Sequence, residues 1–370
     1  MNVGRLIGDA IERLPVAGPW VRRLRFALRM DRRDRRHRRG GGPERRYAAW
    51  VGRADTPSPA ELALLRARVW PPVPRPLVSL LMVLDEADAA WVERTLASLR
   101  LQVYPHWEAC IVAPDGAAAT VGGFDRRSGG DDRVTVQWVD SSVPLAARRS
   151  AALAAIRGDF VAVIDAGDEL PPLALHRLAE TIDAHPDAGL VYADEDRIDA
   201  AGRRHDPWFK CDCNRELLLT HDAISRPAFY ARRLVDALGG WREAFAGAED
   251  HDLALRAVAA VGPRGVVHVP RILYHRAAGR AGAAGPAATE AGRRAVADLL
   301  CRQGSAAVVE PAAEAPGCHR VRHPLPAVPP LVSIVICTRD HERLLRTAID
   351  SIVARTTYPR YEIVIVDNGS

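Results

Sequence analysis

From residue 77 onward, short apolar runs alternate with longer helical patterns. The apolar runs occupy 77–84, 109–113, 134–139, 160–164 and 189–193, and the helical patterns occupy 88–101, 145–157 and 171–185. Short apolar runs are typical of buried strands, and their alternation with amphipathic helices is typical of βαβ units around a parallel sheet. The pattern therefore predicts an α/β domain, in which ligands bind beyond the carboxyl ends of the strands.

The first 75 residues have a different character. Apolar residues recur at helical spacing over 3–14 and 20–29, and a further helix is predicted over 58–70. Residues 1–75 contain 18 Arg and seven acidic residues, a net charge of +11, whereas the rest of the chain has a net charge of −6. We interpret 1–75 as a basic segment of helical and flexible parts.

A basic amphipathic helix can lie in a membrane interface, with its arginines among anionic headgroups. The pattern therefore indicates a peripheral membrane contact through residues 1–40. Packing of the same apolar stripes on the protein's own domains and a solvated tail are the alternatives. The arginine run 32–39 lacks interleaved aromatic residues and a binding fold, so nucleic acid is not an expected partner.

Cysteine use and hydropathy bear on the compartment. Six cysteines are scattered along the chain, the first thirty residues contain no apolar signal core, and no stretch of about 18 uncharged apolar residues occurs. We therefore expect free thiols and a cytoplasmic protein, peripheral at most on the inner membrane. The pair Cys211 and Cys213 fits no standard zinc spacing, and free thiols are the favoured interpretation.

The chain contains a repeat. Pro76-Leu77-Val78-Ser79 recurs as Pro330-Leu331-Val332-Ser333, and a Tyr-Pro pair at 104 recurs at 358, both at an offset of 254 residues. The repeat predicts a duplicated domain. We expect a first domain over 76–304, an Ala- and Pro-rich linker over 305–329, and the truncated beginning of a second copy over 330–370.

Several stretches in the right order make residues 76–276 similar to glycosyltransferase family 2. They are Pro76–Ser79, Ala147–Ala151, Gly158–Leu170, Tyr192–Asp196, Asp206–Lys210, Gly239–Glu243, Glu249–Arg256 and Pro270–His275. The resemblance implies a GT-A (Rossmann-like) fold, a mixed sheet flanked by helices. It also implies an inverting transfer of a hexosyl or deoxyhexosyl group from a nucleoside-diphosphate sugar to a saccharide or lipid-linked acceptor during surface polysaccharide synthesis.

Asp165 and Asp168 follow the apolar run 160–164, which places their carboxylates at the carboxyl edge of the sheet. A diphosphate leaving group calls for a hard divalent cation with oxygen ligands. The resemblance makes Asp168 a ligand of Mg²⁺ or Mn²⁺, with His275 as a further ligand. Capping of the following helix is the structural alternative for Asp168, and a structural histidine is the alternative for His275.

The resemblance also assigns a base and a nucleotide pocket. Asp250, in Glu249-Asp250 at the start of an amphipathic helix, would take the proton of the acceptor hydroxyl. Arg148 would contact the nucleotide. An ordinary helix N-terminal carboxylate and an exposed helix arginine are the respective alternatives.

The chain departs from the family pattern at three places. Ala113 stands where the family has a pocket aspartate, Gly167 replaces the middle aspartate of the metal motif, and the loop after the first strand reads Leu84-Asp85-Glu86. Asp85 or Asp115 can compensate for the missing pocket carboxylate. The alternative function is a non-catalytic binding module supporting an active second domain, and a nucleotidyltransferase is a third, less favoured hypothesis.

Overall fold

The computed structural model describes residues 42–67, 75–125, 131–140, 142–278 and 285–370. The helical patterns predicted at 3–14 and 20–29, and the membrane contact predicted for residues 1–40, lie outside these ranges.

An eight-stranded mixed sheet forms the centre of the described structure. The strand order is β3-β2-β1-β4-β7-β5-β6, and β8 pairs with β5. Strands β3, β2, β1 and β4 are parallel, whereas β7 runs antiparallel to both β4 and β5. The strands are β1 (Val78–Val83), β2 (Trp107–Ala113), β3 (Val134–Trp138), β4 (Phe160–Val163), β5 (Leu190–Ile198), β6 (Arg204–Trp208), β7 (Ala228–Ala231) and β8 (Val266–Ala277).

Helices cover the sheet, so the expected α/β fold with a mixed, helix-flanked sheet is confirmed. The described helices are α1 (Pro43–Trp50), α2 (Pro59–Arg66), α3 (Val92–Arg100), α4 (Ala118–Val121), α5 (Leu145–Ala155), α6 (Ala174–Ala184), α7 (Arg215–Thr220), α8 (Arg232–Ala237), α9 (Glu249–Val261), α10 (Pro286–Arg302) and α11 (Glu342–Arg355). Each of the five predicted apolar runs contributes to a strand. The predicted helix 88–101 begins later, at Val92, because residues 86–91 form a tighter 3₁₀ turn.

The sheet is buried on both faces at its centre. Leu80, Leu81 and Met82 of β1 are at most 1% exposed. Such a strand reads as a continuous apolar run because helices lie above and below it. The polar Ser79 fits there because its hydroxyl donates to Glu108 and accepts the N–H of Gly158.

The segment 43–55 is tied to the sheet by side-chain hydrogen bonds. The Tyr47 hydroxyl donates to Asp196 Oδ2 at 2.5 Å, and Arg204 of β6 contacts both Asp196 and Asp55. Tyr47 also stacks on Trp50. This part of the basic segment therefore packs on the domain.

Part of the predicted linker 305–329 has regular structure. Strands β9 (Val308–Pro311) and β10 (His319–Arg322) form an antiparallel hairpin. Val309 and His319 are buried, and Arg293 of α10 donates to the carbonyl of Val309 at 3.0 Å. The hairpin thus packs on the helix that precedes it.

The repeat seen in the sequence recurs in the hydrogen bonds. β11 (Val332–Thr338) pairs in parallel with β12 (Tyr361–Asp367), and the pairing Val332↔Tyr361 corresponds to Val78↔Trp107 at the same offset of 254. Two side-chain hydrogen bonds recur as well: Ser79–Glu108 as Ser333–Glu362, and Tyr104 Oη–Pro76 O as Tyr358 Oη–Pro330 O. Residues 330–370, all of which the structure describes, contain no buried side chain.

Candidate active site

Several of the predicted site residues follow strands that end at one edge of the sheet. The carboxyl ends of β1, β2 and β4 lie there because these strands are parallel, and antiparallel β7 begins at the same edge. Asp85 follows β1, Asp115 follows β2, and Asp165 follows β4. Arg226 lies just before β7, and it is a residue that the sequence analysis did not single out.

Asp168 is held by β8. Its Oδ2 accepts from the Tyr274 hydroxyl at 2.7 Å, and its Oδ1 accepts from the backbone N–H of Ala277 at 2.8 Å. The Tyr274 hydroxyl also accepts the N–H of Asp165 at 3.2 Å. Tyr274 therefore fixes the turn between the two carboxylates. Burial, followed by the charge of Asp165, raises the pKa of Asp168 to about 6.

The glycine within this turn has a structural reason. Gly167 has φ +92°, a conformation that L side chains rarely adopt, and a Cβ there would lie 3.3 Å from the Trp91 ring and 3.4 Å from the Ala277 Cβ. The family's middle aspartate would therefore not fit without a change of the backbone and of Trp91.

Asp250 accepts four hydrogen bonds. Arg149 donates to both oxygens, at 3.0 Å to Oδ1 and 3.1 Å to Oδ2. Trp241 Nε1 donates to Oδ1 at 2.9 Å, and Arg226 Nη2 donates to Oδ2 at 2.9 Å. Although burial raises the pKa of Asp250, Arg149 and Arg226 together hold it far below its usual range.

Arg226 links the two carboxylates predicted from separate motifs. Its Nη2 lies 2.9 Å from Asp250 Oδ2 and 3.7 Å from Asp165 Oδ1. The Asp165 side chain is 44% exposed, whereas that of Asp250 is 26% exposed. The predicted base, Asp250, and the carboxylate Asp165 of the predicted metal site are therefore neighbours of the same guanidinium, that of Arg226.

Arg148 contacts the loop after β1. Its Nη1 donates to the Leu84 carbonyl at 2.9 Å and to Asp85 Oδ1 at 3.0 Å, and its side chain is buried. Asp85 is exposed and caps the 3₁₀ turn that follows it. Asp115 is exposed in the turn after β2, next to the fully buried Ala113. Arg148 therefore contacts Asp85 and not Asp115. The role of these three residues in nucleotide binding stays a prediction.

His275 turns away from Asp168. Successive side chains of a strand point to opposite faces, and Tyr274 already faces Asp168. His275 Nδ1 lies 2.5 Å from Asp196 Oδ1, on the carboxylate that binds Tyr47 and Arg204. Its contacts join β8 to the docked N-terminal segment. In the described structure the His275 side chain is thus joined to Asp196 and not to Asp165 or Asp168, and its role as a metal ligand stays a prediction.

The oxygen donors at this edge are few. Within the described ranges, no three His, Cys, Asp or Glu side chains are grouped so that they could hold a metal ion. Magnesium is commonly bound by one or two carboxylates together with substrate phosphates and water. The exposed Asp165 and its neighbour Asp168 fit such a shared site. Cys211 and Cys213 form no disulfide in the described structure.

Sequence reasoning missed Arg149, Arg226, Trp241 and Tyr274 as site residues. Arg149, Trp241 and Tyr274 lie inside stretches that carry the family resemblance, so their motifs gave a signal. Arg226 gave none, because its position depends on where the short antiparallel β7 begins.

Two stretches of the chain, residues 81–239 and 333–370, match the family model described as Glycosyl transferase family 2. They include more than half of the chain. The chain belongs to glycosyl transferase family 2. The family expected from the motifs is confirmed, and the two matches fall on the two copies of the 254-residue repeat.

Two curated relatives of this family 2 protein are much longer than it. An uncharacterised protein of Sinorhizobium fredii is 36% identical over 301 residues, 80% of this chain and 33% of the relative. The O-antigen biosynthesis protein RfbC of Myxococcus xanthus is 36% identical over 330 residues, 88% of this chain and 25% of the relative. The chain thus spans about a third and a quarter of their lengths.

Solved structures show weaker similarity. TarS of S. aureus in complex with UDP-GlcNAc is 18% identical with a TM-score of 0.49, over 60% of this chain and 66% of that one. The mannosyltransferase PcManGT of Pyrobaculum calidifontis, with GDP-Man and Mn²⁺, is 17% identical with a TM-score of 0.43, over 65% and 69%. The fold of this family 2 chain is therefore described from the strand order of its own sheet, and not from these structures. In the part of the chain that the structure describes, no helix combines the length and apolar character needed to cross a membrane.

Proposed function

We propose that residues 76–304 transfer a sugar from a nucleoside-diphosphate sugar to an acceptor hydroxyl with inversion at the anomeric carbon. The observation that supports this most directly is the convergence of Asp165, Asp168 and Asp250, from separate motifs, around Arg226 and Tyr274 at one sheet edge. Inverting transfer needs a base for the hydroxyl and a positive environment for the leaving diphosphate, and this edge offers both.

In this proposal Asp250 is the base. The acceptor oxygen attacks the anomeric carbon, the bond from that carbon to the diphosphate oxygen breaks, and Asp250 takes the hydroxyl proton. The nucleoside diphosphate leaves with the bonding electrons. Arg149 and Arg226 keep Asp250 ionised, and Trp241 orients it.

The state of Asp250 implies an order of events. A carboxylate has about four lone-pair sites, and the four hydrogen bonds from Arg149, Arg226 and Trp241 occupy that number. One donor must leave before Asp250 accepts a proton from a hydroxyl. Arg226, which already faces Asp165, is the donor that we propose turns toward the diphosphate when the sugar donor binds.

A divalent cation, Mg²⁺ or Mn²⁺, belongs to the same proposal. Asp165 and Asp168 would hold it together with phosphate oxygens. When bound, it would neutralise negative charge that develops on the leaving diphosphate. Arg226, whose Nη2 lies 3.7 Å from Asp165 Oδ1, adds positive charge beside this position.

The acceptor and the cellular setting follow from the relatives only as proposals. The Myxococcus xanthus relative is named for O-antigen biosynthesis, so we propose a saccharide or lipid-linked acceptor in surface polysaccharide synthesis. A lipid-linked acceptor would suit a protein held at the inner membrane by residues 1–40, as the basic pattern of that segment predicts.

The competing function is a binding module without catalysis. Ala113 in place of the pocket aspartate and the fully hydrogen-bonded Asp250 favour it. The deciding experiment compares the unmodified chain with Asp250→Asn for nucleoside-diphosphate binding and for sugar transfer. A base predicts about 10²–10⁴-fold slower transfer with donor affinity nearly unchanged. Equal transfer rates would exclude Asp250 as the base, and binding without any transfer in the unmodified chain would support the binding module.

A further inference from the structure

Lys210 is the single lysine of a chain that has 50 arginines. A composition so biased toward arginine makes the one lysine informative, because the two side chains differ in shape. Arginine presents a planar fork, whereas lysine presents a compact ammonium with three diverging N–H groups.

The surroundings of Lys210 use that shape. Its ammonium donates to the carbonyl of Ile224 at 2.7 Å, to the carbonyl of Arg226 and to Glu195 Oε2 at 3.3 Å. The side chain is 1% exposed and lies over the Trp208 ring. All three N–H groups therefore have acceptors in a closed pocket that a guanidinium would not fill in the same way.

Two of the three acceptors belong to one short turn. Ile224 and Arg226 flank Ser225, which has φ +47°, a conformation rare for a residue with a side chain. Strained positions of this kind persist only where neighbours fix them. The neighbours of Ser225 are Asp222, which accepts its N–H at 2.8 Å, and Arg276, which donates to its hydroxyl at 2.6 Å.

The network closes on itself. Arg276 Nε donates to Glu195 Oε1 at 2.7 Å, and Glu195 Oε2 accepts from Lys210. Lys210 thus holds the carbonyls of the turn, and Arg276 holds the Ser225 hydroxyl. The backbone of Lys210 is also anchored, because its backbone N–H donates to Oδ1 of the buried Asp194 at 2.9 Å.

The residue that this turn presents is Arg226. Its carbonyl is bound by Lys210, while its guanidinium lies 2.9 Å from Asp250 and 3.7 Å from Asp165. We infer that Lys210 is a positioning residue that sets the direction of Arg226 and so controls the hydrogen bonding of Asp250. The catalytic consequence of this inference rests on the proposed function, whereas the positioning itself does not.

The positioning is tested without any activity. The Trp241 indole N–H donates to Asp250 at 2.9 Å, so its NMR resonance, assigned by its loss in Trp241→Phe, reports on the carboxylate. Lys210→Arg and Lys210→Gln should each shift this resonance in the unmodified background. In the Arg226→Met background the same substitutions should leave it in place, because Lys210 then has no guanidinium to direct.

A matched control uses another arginine. Arg232→Met removes contacts to Asp236 and to the Ile156 carbonyl, away from Asp250, and should leave the indole resonance unmoved in both backgrounds. Melting temperatures identify any variant that fails to fold, and Lys210→Gln stands in if Lys210→Arg does not fold. An unmoved resonance in folded Lys210 variants, or an equal shift with and without Arg226, would overturn the inference.

Transfer rates separate the inference from the proposed function. Displacement of a catalytic neighbour by about 1 Å is expected to slow transfer by about 10²-fold, and the Lys210 variants should show this loss per folded molecule. If the indole resonance shifts in the Lys210 variants but the unmodified chain transfers no sugar, the positioning is supported and the proposed function is overturned. If the Lys210 variants transfer sugar at the unmodified rate and their indole resonance does not move, the positioning is overturned and the proposed function is retained.

Discussion

The guanidinium of Arg149 meets the carboxylate of Asp250 through two parallel hydrogen bonds, 3.0 Å from Nη1 to Oδ1 and 3.1 Å from Nη2 to Oδ2. This fork fixes the direction of the carboxylate as well as its charge. Arg149 itself is buried, with 6% of its side chain exposed. The predicted base is thus held ionised by a neighbour in the adjoining α5.

Replacing Arg149 should change the titration of Asp250. A lysine supplies charge without the fork, and a methionine supplies neither, so we expect Arg149→Lys and then Arg149→Met to raise the pKa of Asp250 progressively. Carbon-13 NMR of labelled aspartate side chains measures it. Arg148→Lys is the control, since Arg148 contacts Leu84 and Asp85 instead. An Asp250 that titrates alike in all variants would show that Arg149 does not govern its ionisation.

Asp168→Asn tests the cation site. An asparagine keeps one oxygen for the Ala277 N–H, and its amide can donate to the Tyr274 hydroxyl, so the turn should fold. It removes the negative charge, however. We expect nucleoside-diphosphate affinity in Mn²⁺ to fall by about 10-fold or more, the scale of a lost metal-site interaction, and affinity in EDTA to stay the same. Equal affinity with and without Mn²⁺ in the unmodified chain would exclude the metal role.

Gly167→Ala should destabilise the fold. Its positive φ costs an L residue about 1–2 kcal/mol, and the Trp91 ring leaves little space for a Cβ. Gly167→Asp, which restores the family's residue, should cost more, because it adds a carboxylate beside Asp165 and Asp168. Urea denaturation measures both. Gly202→Ala is the matched control, because Gly202 has φ +77° and nothing within 4 Å of its Cβ position. A loss no larger at 167 than at 202 would show that Trp91 is not the limiting neighbour.

The sequence predicted the parallel half of the sheet well because its strands are continuous apolar runs that alternate with helical patterns. Asp165 could be placed at the carboxyl edge from the run 160–164 alone. Strands β6 and β7 were not predicted, because β6 is largely polar and the four apolar residues of β7 stand between Arg226-Pro227 and Arg232-Arg233. Since β7 positions Arg226, the link between Asp165 and Asp250 could not be foreseen from local pattern.

His275 differs from Arg226, because the sequence analysis singled it out but could not tell which partner it contacts. Its motif was recognised, but a motif does not tell which side of a strand a residue faces. In the structure the side chain lies against Asp196, whose other partners come from the distant Tyr47 and from Arg204. Long-range partners of this kind are set by tertiary packing, which periodicity does not encode.

The pH dependence of Lys210 can be followed without assignment, because lysine-selective carbon-13 labelling gives one side-chain signal. Burial lowers the pKa of Lys210 to about 8 in the folded protein, from 10.5. Between these values the unfolded chain binds more protons, so this group makes folding more favourable as pH rises from about 8 to 10.5. Transfer should meanwhile decline above pH 8, as the ammonium that holds Arg226 is lost.

Two results would contradict this prediction for Lys210. A Lys210 signal that titrates at the unfolded value would show that the pocket does not exclude water. In Lys210→Met the stability gain between pH 8 and 10.5 should be absent. Persistence of the gain in that variant would assign it to other groups.

The last prediction concerns residues 1–40. Their apolar stripes and arginines favour binding to anionic vesicles, with roughly 1 kcal/mol from each basic residue near the surface and a loss in high salt. A chain starting at residue 42 is the matched comparison, because it keeps the segment 43–55 and its contacts from Tyr47 to Asp196 and from Asp55 to Arg204. In co-sedimentation, the full chain should bind vesicles containing phosphatidylserine at low salt, whereas the shorter chain should stay in solution. Phosphatidylcholine vesicles should bind neither chain strongly. If the full chain stays in solution at every salt concentration, the membrane contact is excluded and packing on the protein itself, or a solvated tail, takes its place. If both chains bind anionic vesicles equally, the contact belongs to the domain and not to residues 1–40.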